Sequence, residues 1–313
     1  MRTFARIVYI KGIGMNFSGI FTRLKLILFC HILNPLWYSR EKRHQIRIDY
    51  LVKTADKYFQ KYLSAVKNVE EKEIIKDDEH EKIFSIWLQG EENAPELVKA
   101  CFRSIRKHCK QELVVLDEKT LFEYIKLPKE IMEKRKRGLI KNAHFADSCR
   151  VELLYQYGGI WLDATAFVTE PIPKLINDSD FFMFMVNPDW GFGYSFVQNC
   201  FIRARKGAYL LAAWRAMILD YWIHENREID YFMHQLLFKT LVMHDDRAKK
   251  CFEKMPHILQ DATHQLWWGY KDKPFDEKLF KEITKDSFFQ KTTFKGLDRV
   301  IPGSFADAVL KMK

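Results

Sequence analysis

The stretch YQYGGIWLDATAF, residues 155–167, joins two glycines, a short apolar run and a single aspartate. Gly158 and Gly159 are typical of a helix end, and the apolar run after them predicts a short buried strand. Asp163 then stands at the carboxyl end of that strand. Because α/β proteins bind ligands at the carboxyl ends of their strands, this order predicts an acid at the rim of a binding crevice.

On both sides of this stretch, segments with strand and helix character alternate. The predicted strands are 83–90, 112–116, 160–162 and 181–186, and the predicted helices are 94–109, 140–159, 208–223 and 231–243, with a further helix start in DEKTLFEYI at 117–125. The strand-helix-strand-helix order predicts an α/β fold with a Rossmann-like sheet. Residues from about 250 onward are rich in aromatic, lysine and turn residues, and we expect irregular structure that closes over a site.

Composition and charge limit the classes of protein to consider. The six cysteines show no metal-site spacing, which argues against a disulfide framework or a zinc module and favours a reducing compartment. Residues 1–60 carry eleven Lys or Arg and three acidic residues, so they hold +8 of the total charge of +10. The near-neutral remainder contains no RNP, helix-turn-helix or zinc-finger pattern, and nucleic-acid binding is therefore only a minor alternative.

The basic N-terminal part contains an apolar segment, FSGIFTRLKLILFCHILNPLWYSR, at residues 17–40. Arg23, Lys25 and His31 interrupt it, and the uninterrupted apolar run is shorter than the roughly 20 residues that cross a bilayer core. We expect an amphipathic helix on an anionic membrane surface, with packing on the protein's own core as the alternative.

A charged run, VEEKEIIKDDEHEK at residues 69–82, predicts an exposed helix end or loop. It separates the basic N-terminal part from the alternating strands and helices. We therefore predict a helical appendage over residues 1–80, at the membrane surface, and one larger domain over residues 81–313.

Three charged residues around the double glycine form a candidate site. Asp147 and Arg150 lie three apart on the predicted helix, so they are neighbours on its surface, and the chain then turns directly into the strand that ends at Asp163. Two carboxylates and a guanidinium in one crevice can bind sugar hydroxyls, phosphate or a hydrated metal ion. The spacing fits an ordinary surface salt bridge and a turn-forming aspartate equally well.

The segments IFSIWLQG, APELVKACFRSIRKHC and ADSCRVELLYQYGGIWLDAT resemble the capsular polysaccharide synthesis protein family, which is related to the family 32 DXD-type retaining glycosyltransferases of the GT-A fold. A late stretch, KTTFK at residues 291–295, also resembles that family. The resemblance implies a GT-A-like, Rossmann-type nucleotide-sugar-binding domain with a mixed central sheet, in addition to the helical N-terminal appendage.

The resemblance also implies an activity. A hexose would move from a nucleotide-diphosphate sugar, a UDP-hexose, to a lipid-linked oligosaccharide in capsular or exopolysaccharide synthesis, with retention of anomeric configuration. The enzyme would be cytoplasmic and peripheral on the inner face of the cell membrane. A membrane-associated scaffold with a transferase-like fold but no turnover stays open as an alternative.

Residue roles follow from the same resemblance. Asp147 and Arg150 match positions that contact the donor sugar, and Asp163 matches the first aspartate of the DXD motif, which contacts ribose and organises metal and diphosphate. Trp87 stands where related enzymes stack an aromatic ring on uracil, although core packing is equally open for it. The other predicted donor-binding residues are Gln89, Gly159, Thr165, Lys291 and Lys295.

A divalent metal ion, Mn²⁺ or Mg²⁺, is implied, but this chain departs from the motif. The second DXD aspartate is Thr165, a weak neutral ligand, so metal binding is looser than in the family or dispensable. Asp163 and Thr165 are the predicted ligands, and Asp261 and His264 are candidates for the missing one.

Several acidic pairs and one histidine are less favoured as ligands. The literal DXD at Asp178–Asp180 is expected in a loop that enters a strand, and the pairs Asp77–Asp78 and Asp245–Asp246 rank lower. His234, on an apolar helix, is expected in the core.

Overall fold

The chain forms a mixed α/β structure around one five-stranded sheet. The computed structural model describes residues 17–76, 80–295, 297 and 299–312. The strands are β1 Lys82–Ile86, β2 Glu112–Leu116, β3 Gly159–Leu162, β4 Ala166–Val168, β5 Phe181–Met185, β6 Val197–Ala204 and β7 Phe289–Lys291. The sheet order is β2-β1-β3-β6-β5, with β1 parallel to β2 and β3, and with β6 antiparallel to β3 and β5. Strands β4 and β7 form a separate antiparallel ribbon.

Helices surround the sheet. They are α1 Phe17–Ile27, α2 Asn34–Trp37, α3 Arg40–Phe59, α4 Glu96–His108, α5 Leu121–Tyr124, α6 Lys129–Lys136, α7 Asn142–Tyr157, α8 Lys174–Asn177, α9 Tyr209–His224, α10 Met233–His244, α11 Asp246–Lys254, α12 Gln265–Tyr270, α13 Glu277–Thr284 and α14 Phe305–Lys311. A π-helical segment, Leu28–Leu33, joins α1 to α2, and short 3₁₀ segments are Gln60–Asn68, Glu91–Asn93, Gly193–Ser195 and Asp261–His264.

The strands and helices predicted from apolar periodicity are confirmed within a few residues, and so is the mixed α/β class. The GT-A-like assignment stays a prediction. The strand directions put the carboxyl ends of β1, β3 and β5, and the amino end of β6, at one edge of the sheet. Residues that follow β1 and β3 are therefore brought together there.

The longest strand, β6, was not predicted, because polar residues interrupt its apolar run. Arg203 lies next to its last residue and is fully buried. Its guanidinium donates to the carbonyl oxygens of Ser179 and Asn177, at 3.1 and 2.8 Å, and forms an ion pair with Glu81. These partners offset the cost of burying the charge, which is why a strand can carry an arginine at this position.

The expectation of irregular structure from residue 250 onward was wrong. Most of α11, all of α12–α14 and strand β7 lie there. Asp245, Asp276 and Ser304 cap three of these helices, each side chain accepting a backbone N–H from the first turn at 2.7–3.2 Å. Such caps are a sequence signal for helix starts, and they give Asp245 a structural role.

The N-terminal helices share the main core. Phe59, Tyr62 and Val66 are buried in the same apolar cluster as residues of the central sheet. Glu225, at the end of α9, accepts hydrogen bonds from Tyr62 and from Lys61, the latter at 2.9 Å. The predicted boundary near residue 80 therefore does not separate two cores. Residues 69–76 of the charged run form a largely exposed segment outside the helices, which agrees with the predicted loop, and Asp77, Asp78 and Glu79 lie outside the described residues.

The continuous helical stretch from residue 18 to 37 exposes one apolar face. Its exposed apolar residues are Ile20, Phe21, Leu24, Ile27, Leu28, Ile32, Leu36 and Trp37. Leu26, Cys30 and Asn34 are buried on the opposite side. Ser18–Trp37 is 20 residues long with a mean hydropathy of 1.3, enough by length and composition to cross a membrane. The length of this stretch therefore does not exclude a membrane-spanning helix. The uninterrupted apolar run had been judged too short for one.

Gly159 begins β3, at the edge of the sheet opposite Asp163. Its φ of +98° is a conformation that residues with a Cβ rarely adopt, and a Cβ there would lie 2.5 Å from the Lys82 carbonyl oxygen. Gly159 therefore allows β3 to approach β1 closely. This placement corrects its predicted role in donor binding.

Substituting Gly159→Ala is expected to lower the free energy of unfolding by about 3 kcal/mol, because it adds backbone strain to a steric clash. Denaturant unfolding measures the effect. Gly191→Ala is the matched control, because a Cβ at Gly191 meets nothing within 4 Å. Equal stability of the two variants would contradict this role for Gly159.

Candidate active site

A cleft of about 630 Å³ opens at the edge of the sheet where β1, β3 and β5 end and β6 begins. Of the predicted site residues, those that line it are Trp87, Gln89, Asp147, Arg150, Asp163, Thr165, His264, Lys291 and Lys295. Gly159 and Asp261 are not part of its lining. A larger cavity, of about 890 Å³, lies at the opposite edge of the sheet and is lined by residues such as Lys82, Glu112 and Asp178.

The three residues around the double glycine meet in this cleft. The Arg150 Nη2 atom lies 3.2 Å from the Asp147 Oδ1 atom and 3.4 Å from the Asp163 Oδ1 atom. The guanidinium also donates to the Asn199 carbonyl oxygen, and it stacks over the Trp161 ring at 4.8 Å. The helix–glycine–strand order thus brings two carboxylates to one arginine, as the sequence predicts.

Lys291 reaches the same acid from the C-terminal part of the chain. Strand β7 pairs with β4 so that Lys291 is opposite Ala166. The Lys291 Nζ atom lies 3.4 Å from the Asp163 Oδ2 atom and donates a hydrogen bond to the Thr165 hydroxyl. Asp163 is therefore flanked by two cations, which come from residues far apart in the sequence.

Both acids are ionised at neutral pH. Burial opposes the charge on Asp163, but Lys291 and Arg150 outweigh it and lower the pKa of this carboxyl. Burial likewise opposes the charge on Asp147, and the Arg150 guanidinium favours it, so the pKa of this carboxyl lies below the ordinary range. The cleft therefore presents two carboxylates and two cations side by side.

Asn199, near the start of β6, orients Asp147. Its amide Nδ2 atom donates to the Asp147 Oδ1 atom at 3.1 Å and lies 3.1 Å from the His234 Nδ1 atom. His234 is buried against Trp214, with the ring centroids 4.2 Å apart, as its core assignment predicted. Burial lowers the pKa of His234 to about 3, so its imidazole is neutral at pH 7.

An aromatic pair stands at another part of the cleft. Trp87 follows β1 and Phe294 follows β7, and their rings meet edge to face with centroids 5.6 Å apart. Trp87 is half-buried, and its buried Nε1 atom has no hydrogen-bond partner among the described residues. A flat, partly exposed ring of this kind can stack on a base.

The predicted C-terminal metal ligands face different surroundings. His264 is buried in the cleft wall, and burial lowers its pKa to about 4. Its Nε2 atom lies 3.4 Å from the Gln198 Nε2 atom. Asp261 accepts a hydrogen bond from the Asn187 side chain at 2.7 Å and lines a neighbouring groove with Trp268.

These residues do not fit the divalent ion that the family resemblance implies. Within residues 17–76, 80–295, 297 and 299–312, no group of three or more His, Cys, Asp or Glu side chains is arranged to hold a metal ion. The Asp163 Oδ1 atom already accepts from the Trp161 indole at 2.9 Å, and the Thr165 hydroxyl accepts from Lys291. An ammonium thus occupies the position between the two predicted ligands.

The literal DXD lies away from the cleft. Asp178 and Asp180 come just before β5, at the edge of the sheet opposite Asp163. Asp178 pairs with Lys174 at 2.6 Å, and Asp180 lies 3.8 Å from Arg205. The prediction that this tripeptide is a loop entering a strand is confirmed.

Several residues of the cleft were missed by sequence reasoning. They are Asn142, His144, Gln198, Asn199, Tyr231, Phe232, Gln235, Gln260 and Phe294. Gln198 and Asn199 lie on β6, which was not recognised as a strand, so nothing indicated which of its side chains face the site. The available signal was weak: the polar step Gln198–Asn199 directly before the apolar run Cys200–Ile202.

Comparison with known proteins is consistent with this site. The chain is 31% identical over 120 residues to the O-glycosyltransferase PaGT of Phomopsis amygdali, a match that covers 36% of this chain and 29% of the relative. The chain thus spans less than a third of the length of that relative. No solved structure matches the chain significantly. Residues 34–305 match the capsular polysaccharide synthesis proteins, and the match begins within the predicted appendage. The chain therefore belongs to the capsular polysaccharide synthesis protein family.

Proposed function

We propose that the protein is a glycosyltransferase that moves a hexose from a UDP-hexose to a lipid-linked oligosaccharide in capsular or exopolysaccharide synthesis. Membership of the family and the partial likeness to a glycosyltransferase support this class of reaction. The observation that carries the proposal is the pair of cations, Arg150 and Lys291, that flanks Asp163 at the carboxyl end of β3. This is where open α/β sheets bind nucleotides.

The cleft contains groups suited to each part of the donor. Arg150 and Lys291 suit a diphosphate, because charge-assisted hydrogen bonds to phosphate oxygens are strong. Asp147 and Asp163 can accept hydrogen bonds from sugar hydroxyls. Trp87 can stack on the uracil ring, a contact worth about 1–3 kcal/mol per base.

The proposed reaction cleaves the bond between the anomeric carbon and the β-phosphate oxygen. The electron pair stays on that oxygen, and the nearby cations stabilise the developing charge. The acceptor hydroxyl attacks the same face of the anomeric carbon and passes its proton to the departing diphosphate. This route retains the anomeric configuration and requires no protein nucleophile.

We further propose that the apolar face of residues 18–37 holds the enzyme on the inner face of the cell membrane, next to its lipid-linked acceptor. Eight large apolar side chains are exposed along this one helical stretch. Such a patch on a soluble surface marks a site of interaction. The exposed Lys25 and the net charge of +8 over residues 1–60 favour an anionic lipid surface.

The substitution Asp163→Asn tests the catalytic proposal. It removes the charge that orients Arg150 and Lys291, and we expect donor turnover to fall about 100-fold, the effect of losing one preorganised electrostatic group. Release of UDP from a panel of UDP-hexoses measures turnover. Asp178→Asn, in the literal DXD at the opposite edge, is the matched control and should leave the rate unchanged.

Three results would contradict the proposal. Equal turnover by wild type and Asp163→Asn would show that the site around Asp163 takes no part in the reaction. UDP binding with no turnover of any donor would favour a non-catalytic scaffold. A rise in melting temperature with an oligonucleotide but not with UDP would favour nucleic-acid binding.

Flotation with vesicles tests the membrane proposal. The triple variant Phe21→Glu, Leu24→Glu and Leu28→Glu should reduce the fraction bound to anionic vesicles at least about 10-fold, because burying each such side chain contributes about 1.5–3 kcal/mol. The double variant Leu175→Glu and Leu259→Glu is the control, since both residues are exposed elsewhere on the surface. Equal binding by the triple variant and the control would rule out this face as the membrane contact.

A further inference from the structure

We propose that this active site works without a divalent metal ion, because the Lys291 ammonium takes the place of the metal at the leaving diphosphate. The inference rests on the proposed function and adds to it the identity of the group that stabilises the leaving charge. The Lys291 Nζ atom lies 3.4 Å from the Asp163 Oδ2 atom and donates to the Thr165 hydroxyl. These are the two side chains at the ends of the DXD-like motif.

The position of Lys291 is fixed by the backbone. Strand β7 ends at this residue and pairs with β4, which begins directly after Thr165. The Thr292 backbone N–H and the Thr292 hydroxyl both donate to the Thr165 carbonyl oxygen at 2.8 Å. Two hydrogen bonds thus hold the turn that carries Thr165 against the end of β7. The lysine side chain is only 25% exposed, so it enters the cleft as part of a built site.

The ligand chemistry disfavours a metal ion at the same place. Hard divalent cations take six or more oxygen ligands, with carboxylates as the charged ones. The motif here offers one carboxylate, Asp163, whose oxygens already contact the Trp161 indole, Arg150 and Lys291. Thr165 supplies a neutral hydroxyl. A divalent ion between Asp163 and Thr165 would displace the ammonium or be repelled by it.

Fixed cations can do the required chemistry. When the bond between the anomeric carbon and the phosphate oxygen breaks, the electron pair remains on the diphosphate. Lys291 and Arg150 then donate hydrogen bonds to its oxygens and stay protonated throughout. The proton of the acceptor hydroxyl passes to the diphosphate, so no external acid, base or metal is needed to balance the step.

The first test compares turnover of a UDP-hexose in excess EDTA and in Mn²⁺. We expect wild type to keep its rate in EDTA to within about twofold. Lys291→Met should lower the rate in EDTA by about 100-fold or more, the effect of removing one electrostatic stabiliser, and Lys291→Arg should recover part of it. Lys281→Met is the matched control, because Lys281 is exposed and pairs with Glu277 on its own helix.

A double variant is designed to convert the lysine site into a metal site. Thr165→Asp combined with Lys291→Met restores two carboxylates and removes the ammonium. We expect this protein to turn over the donor only when Mn²⁺ is present. The same rate in EDTA and in Mn²⁺ would contradict the idea that the lysine and the metal are alternatives.

Mn²⁺ binding provides a readout that does not depend on turnover. The electron paramagnetic resonance signal of free Mn²⁺ should stay unchanged when wild-type protein is added without nucleotide, and should decrease with the double variant. Stoichiometric, Asp163-dependent loss of the signal with wild type would overturn the inference.

The outcomes separate the inference from the proposed function. Turnover by wild type in Mn²⁺ but not in EDTA overturns the metal-free site and leaves a metal-dependent transferase. If wild type neither binds UDP nor turns over a donor in EDTA or in Mn²⁺, the proposed function is wrong, and the inference falls with it. If wild type is active in EDTA and Lys291→Met is equally active, other groups stabilise the charge on the leaving diphosphate. That result would overturn the role of Lys291.

Discussion

The pairing of the Asp163 carboxylate with two cations holds the site together. One cation, Arg150, comes from the helix directly before the strand that Asp163 ends. The other, Lys291, comes from a strand 126 residues beyond Thr165. Since burial alone would raise the pKa of Asp163, the charge at the sheet edge depends on both partners. The pair therefore links the C-terminal segment to the central sheet and places positive charge where a diphosphate can bind.

The neighbouring contacts keep this arrangement fixed. Asn199 joins the Arg150 guanidinium to the Asp147 carboxylate, through its carbonyl oxygen on one side and its amide on the other. The neutral His234 packs behind Asp147 without adding a charge. A binding site held in this way needs little rearrangement when a ligand arrives, which is the condition for electrostatic stabilisation of a transition state. The exposed apolar face at residues 18–37 lies outside this network, and in the proposal it determines where in the cell the cleft works.

Much of this could be predicted from sequence where the contacts are local. Asp147, Arg150 and Asp163 fall within 17 residues. Because the helix stops at Gly158 and Gly159 and the strand follows at once, the short connection brings the three side chains close together. The position of Lys291 between Asp163 and Thr165 could not be derived, because it depends on the register of β7 against β4. Strand β6 was missed since its buried Arg203 is satisfied by partners distant in sequence. Gly159 was misassigned because adjacency to the motif does not show which edge of the sheet a residue occupies.

A crystal structure of the protein with UDP, grown in EDTA, would show whether Arg150 and Lys291 bind the diphosphate. We expect diphosphate oxygens within hydrogen-bond distance of both the Arg150 guanidinium and the Lys291 ammonium, with the uracil ring against Trp87. Nucleotide bound in the cavity at the opposite edge of the sheet, or a diphosphate that contacts neither cation, would contradict it.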